Sequence, residues 1–212
     1  MAFSCFNLPE NMDSYIERLT KGRRQNLRTE INRVLRQKGC TLEKCEEVSQ
    51  VSLYLDALFD LHHRRWRKRG EAGAFRRKPR ETDFYREFAP VALRRGWLRL
   101  FGLRDESGFK AVQIGYVHNN VFYALQEGFD PEYLHGVGNV LRYKVIEEAI
   151  AEGLKAYDFL GGVSEHKRHW LAEERTGYDL FVGHRGLKNV ILFAKEIWPT
   201  GRYFCCTANS QK

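Results

Sequence analysis

The chain has 212 residues, 43% of them hydrophobic and 13% aromatic, enough to bury a core within one domain. Its formal charge of +8 suits an anionic partner, whether a nucleotide cofactor, a nucleic acid or an acidic membrane surface. Five cysteines without metal-ligand spacing argue against a disulfide framework or a metal site, and read as reduced thiols; no basic-then-apolar leader or long uncharged run is present, so a cytoplasmic protein without membrane insertion is expected.

Residues 1–22 read as a lead-in: 1–11 are irregular, and Asp13 caps a helix whose apolar side is Tyr15, Ile16 and Leu19. Lys21-Gly22 interrupts. Arg23–Gln37 then continues as a very basic helix with Leu27, Ile31, Val34 and Leu35 inside. A domain rarely opens on a one-sided helix with nothing before it to pack on. Residues 23–198 are therefore expected to form a domain that is the second half of something larger. Thr41–Val48 alternates weakly, as a strand between turns.

Ser49–Trp66 reads as a strong helix, with Val51, Leu55, Leu58 and His62 at spacings of four, three and four. Between His62 and Arg80 lie nine Lys or Arg and one acid, Glu71. Such a run suits phosphates of a nucleic acid or of a cofactor, and equally an ordinary solvated loop. Glu81–Arg95 is the next helix, with Phe84, Phe88 and Val91 on its buried side and Gly96 as its stop. From Trp97 the period changes to two. Three strands follow, with a tight turn at His118-Asn119-Asn120 and a third strand over Val121–Glu127.

Gly136 to Trp170 organises the rest. Leu141, Val145 and Ala149 share one helix face, widened by Ile146 and Ile150, and Gly153 stops the helix. Ala156–Leu160 is short and apolar, as a buried strand is. Strand, crossover helix and strand make a parallel unit. The helix N-terminus, over Gly136, Val137, Gly138, Asn139 and Val140, would then face an anion such as a pyrophosphate, with the glycines admitting close approach. A tight turn alone would use the same glycines. The last strand is expected at Thr176–His184 and a final helix at Leu187–Ile197, before a tail over 199–212.

This order of elements is the outline of an α+β, GNAT-like acyltransferase fold: a mostly antiparallel sheet with one parallel strand pair and helices on both faces. Trp66 with Arg69, the Phe84-Tyr85-Arg86 helix, the Gly136-Val137-Gly138 turn, Asp158-Phe159-Leu160-Gly161-Gly162 and His166-Lys167 with Trp170 together resemble the CelD-type acetyltransferases of cellulose and exopolysaccharide biosynthesis. More distantly they resemble the Fem-type peptidoglycan aminoacyltransferases. The resemblance implies acyl transfer from acetyl-CoA or another acyl-CoA to a small-molecule or glycan acceptor, with aminoacyl transfer from tRNA as the alternative and a non-catalytic binding module as a third reading. His135 stands near where an ordinary acyl-CoA signature has Gln or Arg.

Acyl transfer needs a neutral nucleophile, donors for the oxygen that gains charge and a proton for the leaving group. Glu127, ending its strand, is a candidate base, or else a surface carboxylate. Lys167 resembles the family lysine and by that likeness would stabilise negative charge; an exposed helical lysine is the alternative. His166 and His169 titrate near neutrality when unperturbed. Trp66, Arg69, Trp170 and Asp158 are candidate substrate contacts, although an acid inside a strand, as Asp158 is, more often bonds to backbone. Tyr123 and Tyr143 read as core.

Overall fold

The computed structural model describes residues 2–177. Strands β1 (Ala2–Asn7), β2 (Thr41–Lys44), β3 (Leu98–Asp105), β4 (Gly108–His118), β5 (Val121–Phe129), β6 (Ala156–Gly161) and β7 (Glu173–Thr176) form one mixed sheet in the order β2-β3-β4-β5-β6-β1-β7. Every neighbouring pair is antiparallel except β5 and β6, which run parallel as expected.

The helices follow local signals. Asn11, not Asp13, caps α1 (Met12–Arg18) by accepting from the Ser14 N–H at 2.9 Å. Thr20 caps α2 (Lys21–Ile31), which passes into a π-helical turn over Asn32–Gln37. Glu47 and Gln50 form a capping box at the start of α3 (Val48–Lys68). A one-turn α4 (Ala74–Arg77) precedes α5 (Arg80–Arg94). Then come the crossover helix α6 (Val137–Ala151) and the short α7 (Glu165–Arg168).

Two apolar clusters lie on opposite faces of the sheet. One joins Leu103, Phe122 and Tyr157 to Leu27 of α2 and to Leu141, Val145 and Ile146 of α6. The other joins Leu100, Val112 and Ile114 to Leu55 and Leu58 of α3 and Ala89 of α5. Because both faces are covered, successive β3 residues are all buried from Phe101 to Leu103, and the alternation read from Trp97 loses its contrast.

Two expectations are corrected here. The residues read as an irregular lead-in include β1, an inner strand between β6 and β7 whose Phe6 ring stacks on Tyr15 at 5.6 Å. The first helix therefore does have something before it to pack on. On α5 the buried residues are Tyr85, Ala89 and Ala92, while Phe84 is 54% exposed and Val91 is also exposed. The small alanines let α5 lie close to its neighbours, which turns the apolar face by about one residue. A strand β7 covers Glu173–Thr176; from residue 178 on, the strand expected over Thr176–His184 and the helix expected over 187–197 lie outside the described residues.

Two features of the sheet create the site. The parallel ladder lasts only from Val121 opposite Ala156 to Tyr123 opposite Asp158. Beyond it β5 stays with β4, whereas β6 follows β1, so the two strands part. In the β4–β5 ladder Ile114 faces Gln126 but Gly115 faces Ala124, leaving Leu125 as the extra residue of a bulge.

Candidate active site

Where β5 and β6 part, a cleft of about 160 Å³ opens. Its wall from β5 is Ala124 to Glu127; Gln113 comes from β4, Phe159 from β6, Arg142 from α6, and His62, Arg65 and Trp66 from α3. These side chains are placed by the two helix faces that hold the cores. Arg142 lies four residues after Gly138 on the buried side of α6, and Arg65 continues the His62 stripe of α3 by three.

Charge in the cleft is concentrated on one carboxylate and two guanidiniums. Arg65 donates to Glu127 Oε1 at 3.4 Å, and Arg142 pairs closely with Oε2. Both oxygens of Glu127 are thus engaged, so the residue expected as a free base is the centre of an ion-paired triad. The Nε atoms of both arginines are buried without a partner, as is Oε1 of Gln113, whose Nε2 donates to the Tyr157 hydroxyl at 2.7 Å. Arg142 also lies over the rings of Phe159 and Trp170, at 5.8 and 5.4 Å.

His166 is largely exposed, but its Nε2 lies 3.4 Å from Nη1 of Arg142. Loss of water on that side, and then the Arg142 charge, push its pKa down to about 4. The ring is therefore neutral near pH 7. His62 is 3% exposed and accepts from Trp66 Nε1 at 2.9 Å through Nε2; burial first, then the charge of Arg65, lowers its pKa to about 4.

Other expected site residues have different occupations. Lys167 Nζ donates to the carbonyls of Gly161 (2.7 Å) and Gly162 (2.8 Å), with those of Phe159 (3.2 Å) and Leu160 (3.4 Å) in reach. An ammonium has three protons, and these carbonyls can take all of them. Lys167 therefore lines the cleft while holding the carboxyl end of β6 in shape. Asp158 Oδ1 accepts from the Leu160 N–H at 2.6 Å, fixing the same bend, at which Leu160 has φ +60°. Trp170 is 0% exposed, a core ring with Arg23 stacked on it at 4.3 Å, and cannot meet a substrate where it stands. Arg69 caps α3 at the surface, 5.6 Å from the Trp66 ring and outside the cleft lining.

The α6 N-terminus differs from expectation most. Gly136 has φ +92° there, and Glu30 of α2 packs its carboxylate against it. A Cβ on Gly136 would lie 2.6 Å from Glu30 Oε1. Glu30 is 7% exposed and accepts from Asn139 Nδ2 at 3.0 and 3.1 Å. Gly138 is apposed to the Phe129 ring. Both glycines thus face protein groups, and a carboxylate stands beside the helix end at which a pyrophosphate is expected.

Arg65, Arg142, Gln113 and His62 were not singled out as site residues from sequence. The available signal was a polar residue on an apolar stripe: Arg142 among the buried residues of α6, and Gln113 within Ala111-Val112-Gln113-Ile114. Among the described residues, no group of three or more His, Cys, Asp or Glu gathers to hold a metal, and no helix is long and apolar enough to cross a membrane. Cys5, Cys40 and Cys45 are buried and unbridged.

A family model described as an acetyltransferase (GNAT) domain matches residues 21–168. A search of curated proteins finds no match. Among solved structures, FemX superposes with a TM-score of 0.64 at 11% identity, covering 82% of this chain and 59% of FemX. A conserved protein of unknown function from Bacteroides thetaiotaomicron gives 0.59 at 14% identity, over 81% of this chain and 58% of that one. The C-terminal domain of a lysylphosphatidylglycerol synthetase of Agrobacterium fabrum, itself assigned by inference, gives 0.50 at 16% identity, over 78% and 48%. At these identities the likeness concerns the fold, and this chain spans less than two thirds of each of them.

Proposed function

Because the chain belongs to the acetyltransferase (GNAT) domain family, whose model spans residues 21–168, we propose that it transfers an acyl group from acyl-CoA to an amine or hydroxyl of a sugar or glycan precursor. The observation that carries the reading is the parting of β5 and β6 after Tyr123 and Asp158, with the cleft that opens there. The glycan acceptor rests on the CelD-like order of the motifs.

In this reading the chain works by position and charge. An acceptor nitrogen or oxygen attacks the acyl carbon, and the carbonyl oxygen gains negative charge in the adduct; the adduct collapses by breaking the C–S bond, and the nucleophile's proton passes through solvent to the departing CoA thiolate. Arg65 and Arg142 place positive charge beside that oxygen. The out-of-register Leu125 at the cleft wall supplies backbone polar groups to the same region. Glu127 holds the two guanidiniums apart and aimed. None of the described cleft-lining residues is a strong free base: Glu127 is paired on both oxygens, and His62 Nε2 accepts from Trp66. An amine acceptor must therefore arrive neutral, and His166 at the margin is a weak proton acceptor.

A second reading, aminoacyl transfer from tRNA, is favoured by two observations: Glu30 fills the α6 N-terminus, and Arg67, Arg69, Arg76, Arg77, Lys78 and Arg80 are exposed together in sequence. Thermal shift decides between them. Stabilisation by acetyl-CoA, with turnover on an amino-sugar acceptor, supports the first reading. Salt-sensitive tRNA binding without a CoA response supports the second. Absence of both responses removes the acyltransferase reading.

A further inference from the structure

We propose that Glu30 is a specificity-determining residue: its carboxylate is the resident anion of the α6 N-terminus, so the donor is recognised without a pyrophosphate anchored at that helix. This rests on the acyltransferase reading and restricts the class of donor.

The N-terminus of a helix of fifteen residues attracts one anion through its free N–H groups and dipole. Here the Glu30 carboxylate lies against Gly136 and accepts from the side chain of Asn139 in the first turn. Glu30 is the only acid between Lys21 and Lys38, a stretch otherwise rich in arginine. It is not a surface side chain that swings freely. Leu27 and Val34, on either side along the same helical segment, are buried in the core. The carboxylate is held by Asn139 and lies 3.8 Å from Nη1 of Arg23. Gly136 makes the notch that receives it.

An incoming pyrophosphate would meet a fixed negative charge within contact distance and compete with it for the Asn139 amide and the nearby Arg23. Charge repulsion and lost space act in the same direction. The acyl end and the arm that carries it still have the parted strands to enter, because the cleft is lined from β5, β6, α3 and the middle of α6 rather than by its first turn. The chemical prediction is a donor site that reads the acyl group and its immediate carrier arm and is indifferent to a diphosphate behind them.

The test compares CoA, pantetheine and inorganic pyrophosphate by calorimetry and thermal shift, on the whole chain. For the wild type we expect CoA and pantetheine to bind within about threefold of each other, and pyrophosphate to give no shift. For Glu30→Ala, which clears the notch, we expect pyrophosphate to stabilise the protein and CoA to exceed pantetheine by about tenfold or more. Glu30→Gln keeps the volume and the Asn139 contact, and is expected to show a smaller gain in the same direction. A wild-type preference for CoA over pantetheine of about tenfold, unchanged in Glu30→Gln, overturns the proposal whether or not the alanine variant folds. So does a folded Glu30→Ala that ignores pyrophosphate. If wild type binds neither CoA nor pantetheine while Glu30→Ala binds pyrophosphate, the proposal stands and the acyl-CoA reading falls.

Discussion

Lys167 shows how a residue can stand in the expected place with a different task. Its position after the glycine pair suggests charge stabilisation, yet its ammonium donates to Gly161 and Gly162 at 2.7 and 2.8 Å and reaches two more carbonyls. Burial lowers its pKa, and nearby Asp158 opposes that shift. The four carbonyls end a strand that has just left its parallel partner, so no ladder from β5 supports it there. Replacing Lys167 by Met should therefore destabilise the fold by roughly 2 kcal/mol, the scale of hydrogen bonds to a charged group. Urea denaturation measures it. A lysine acting only on substrate would lose turnover with an unchanged unfolding midpoint, and that result would return Lys167 to the chemistry.

At the scale of elements, the parts readable in the sequence were those with one clear period. The α6 stripe of Leu141, Val145 and Ala149 and the short apolar β6 were placed correctly, and with them the parallel pair that opens the cleft. The tight turn at Asn119-Asn120 also stands, with both residues at positive φ. β1 was missed because six residues carry little periodic information and its partners come from the far end of the described chain. The site was read in outline only: of the expected residues Trp66, Glu127 and Lys167 line the cleft and His166 stands beside Arg142 at its margin, but that Arg142 would reach Glu127 or Glu30 would reach Gly136 was not legible, since both contacts join separate elements. Gly128 is a similar case. A Cβ there would lie 2.6 Å from the His62 backbone N and 2.8 Å from the Leu58 backbone O, so α3 and β5 touch main chain to main chain. Backbone cannot step aside as a side chain can. Gly128→Ala should cost about 3 kcal/mol and widen the cleft, because α3 carries Arg65 and Trp66. Gly22→Ala is the control: nothing lies within 4 Å of its Cβ position, and a gain of about 0.5 kcal/mol is expected from helix propensity.

For the molecule as a whole, the buried histidine of the cleft wall sets an acid limit on stability. His62 is 3% exposed, and its pKa falls from 6.5 to about 4 because burial and the charges of Arg65, His63 and Arg77 all oppose a proton. Its Nε2, the acceptor for Trp66, is also the atom that protonation would occupy. Between pH 6.5 and pH 4 the unfolded chain binds this proton and the folded chain does not, so acidification across that window favours unfolding. The stabilisation is complete above the unfolded value and is lost progressively as pH falls toward the folded one. A shift of this size corresponds to about 3 kcal/mol. The partly exposed His166, shifted in the same direction, adds to the slope by a smaller amount because solvent screens it. Denaturation midpoints measured from pH 7.5 down to pH 4.5 should therefore fall steeply in the wild type. In a folded His62→Leu variant, which has no proton to bind in either state, the slope should flatten even though the neutral-pH midpoint is lower for want of the Trp66 bond. An undiminished slope in that variant would mean that the acid sensitivity arises elsewhere and that His62 does not resist protonation in the folded state.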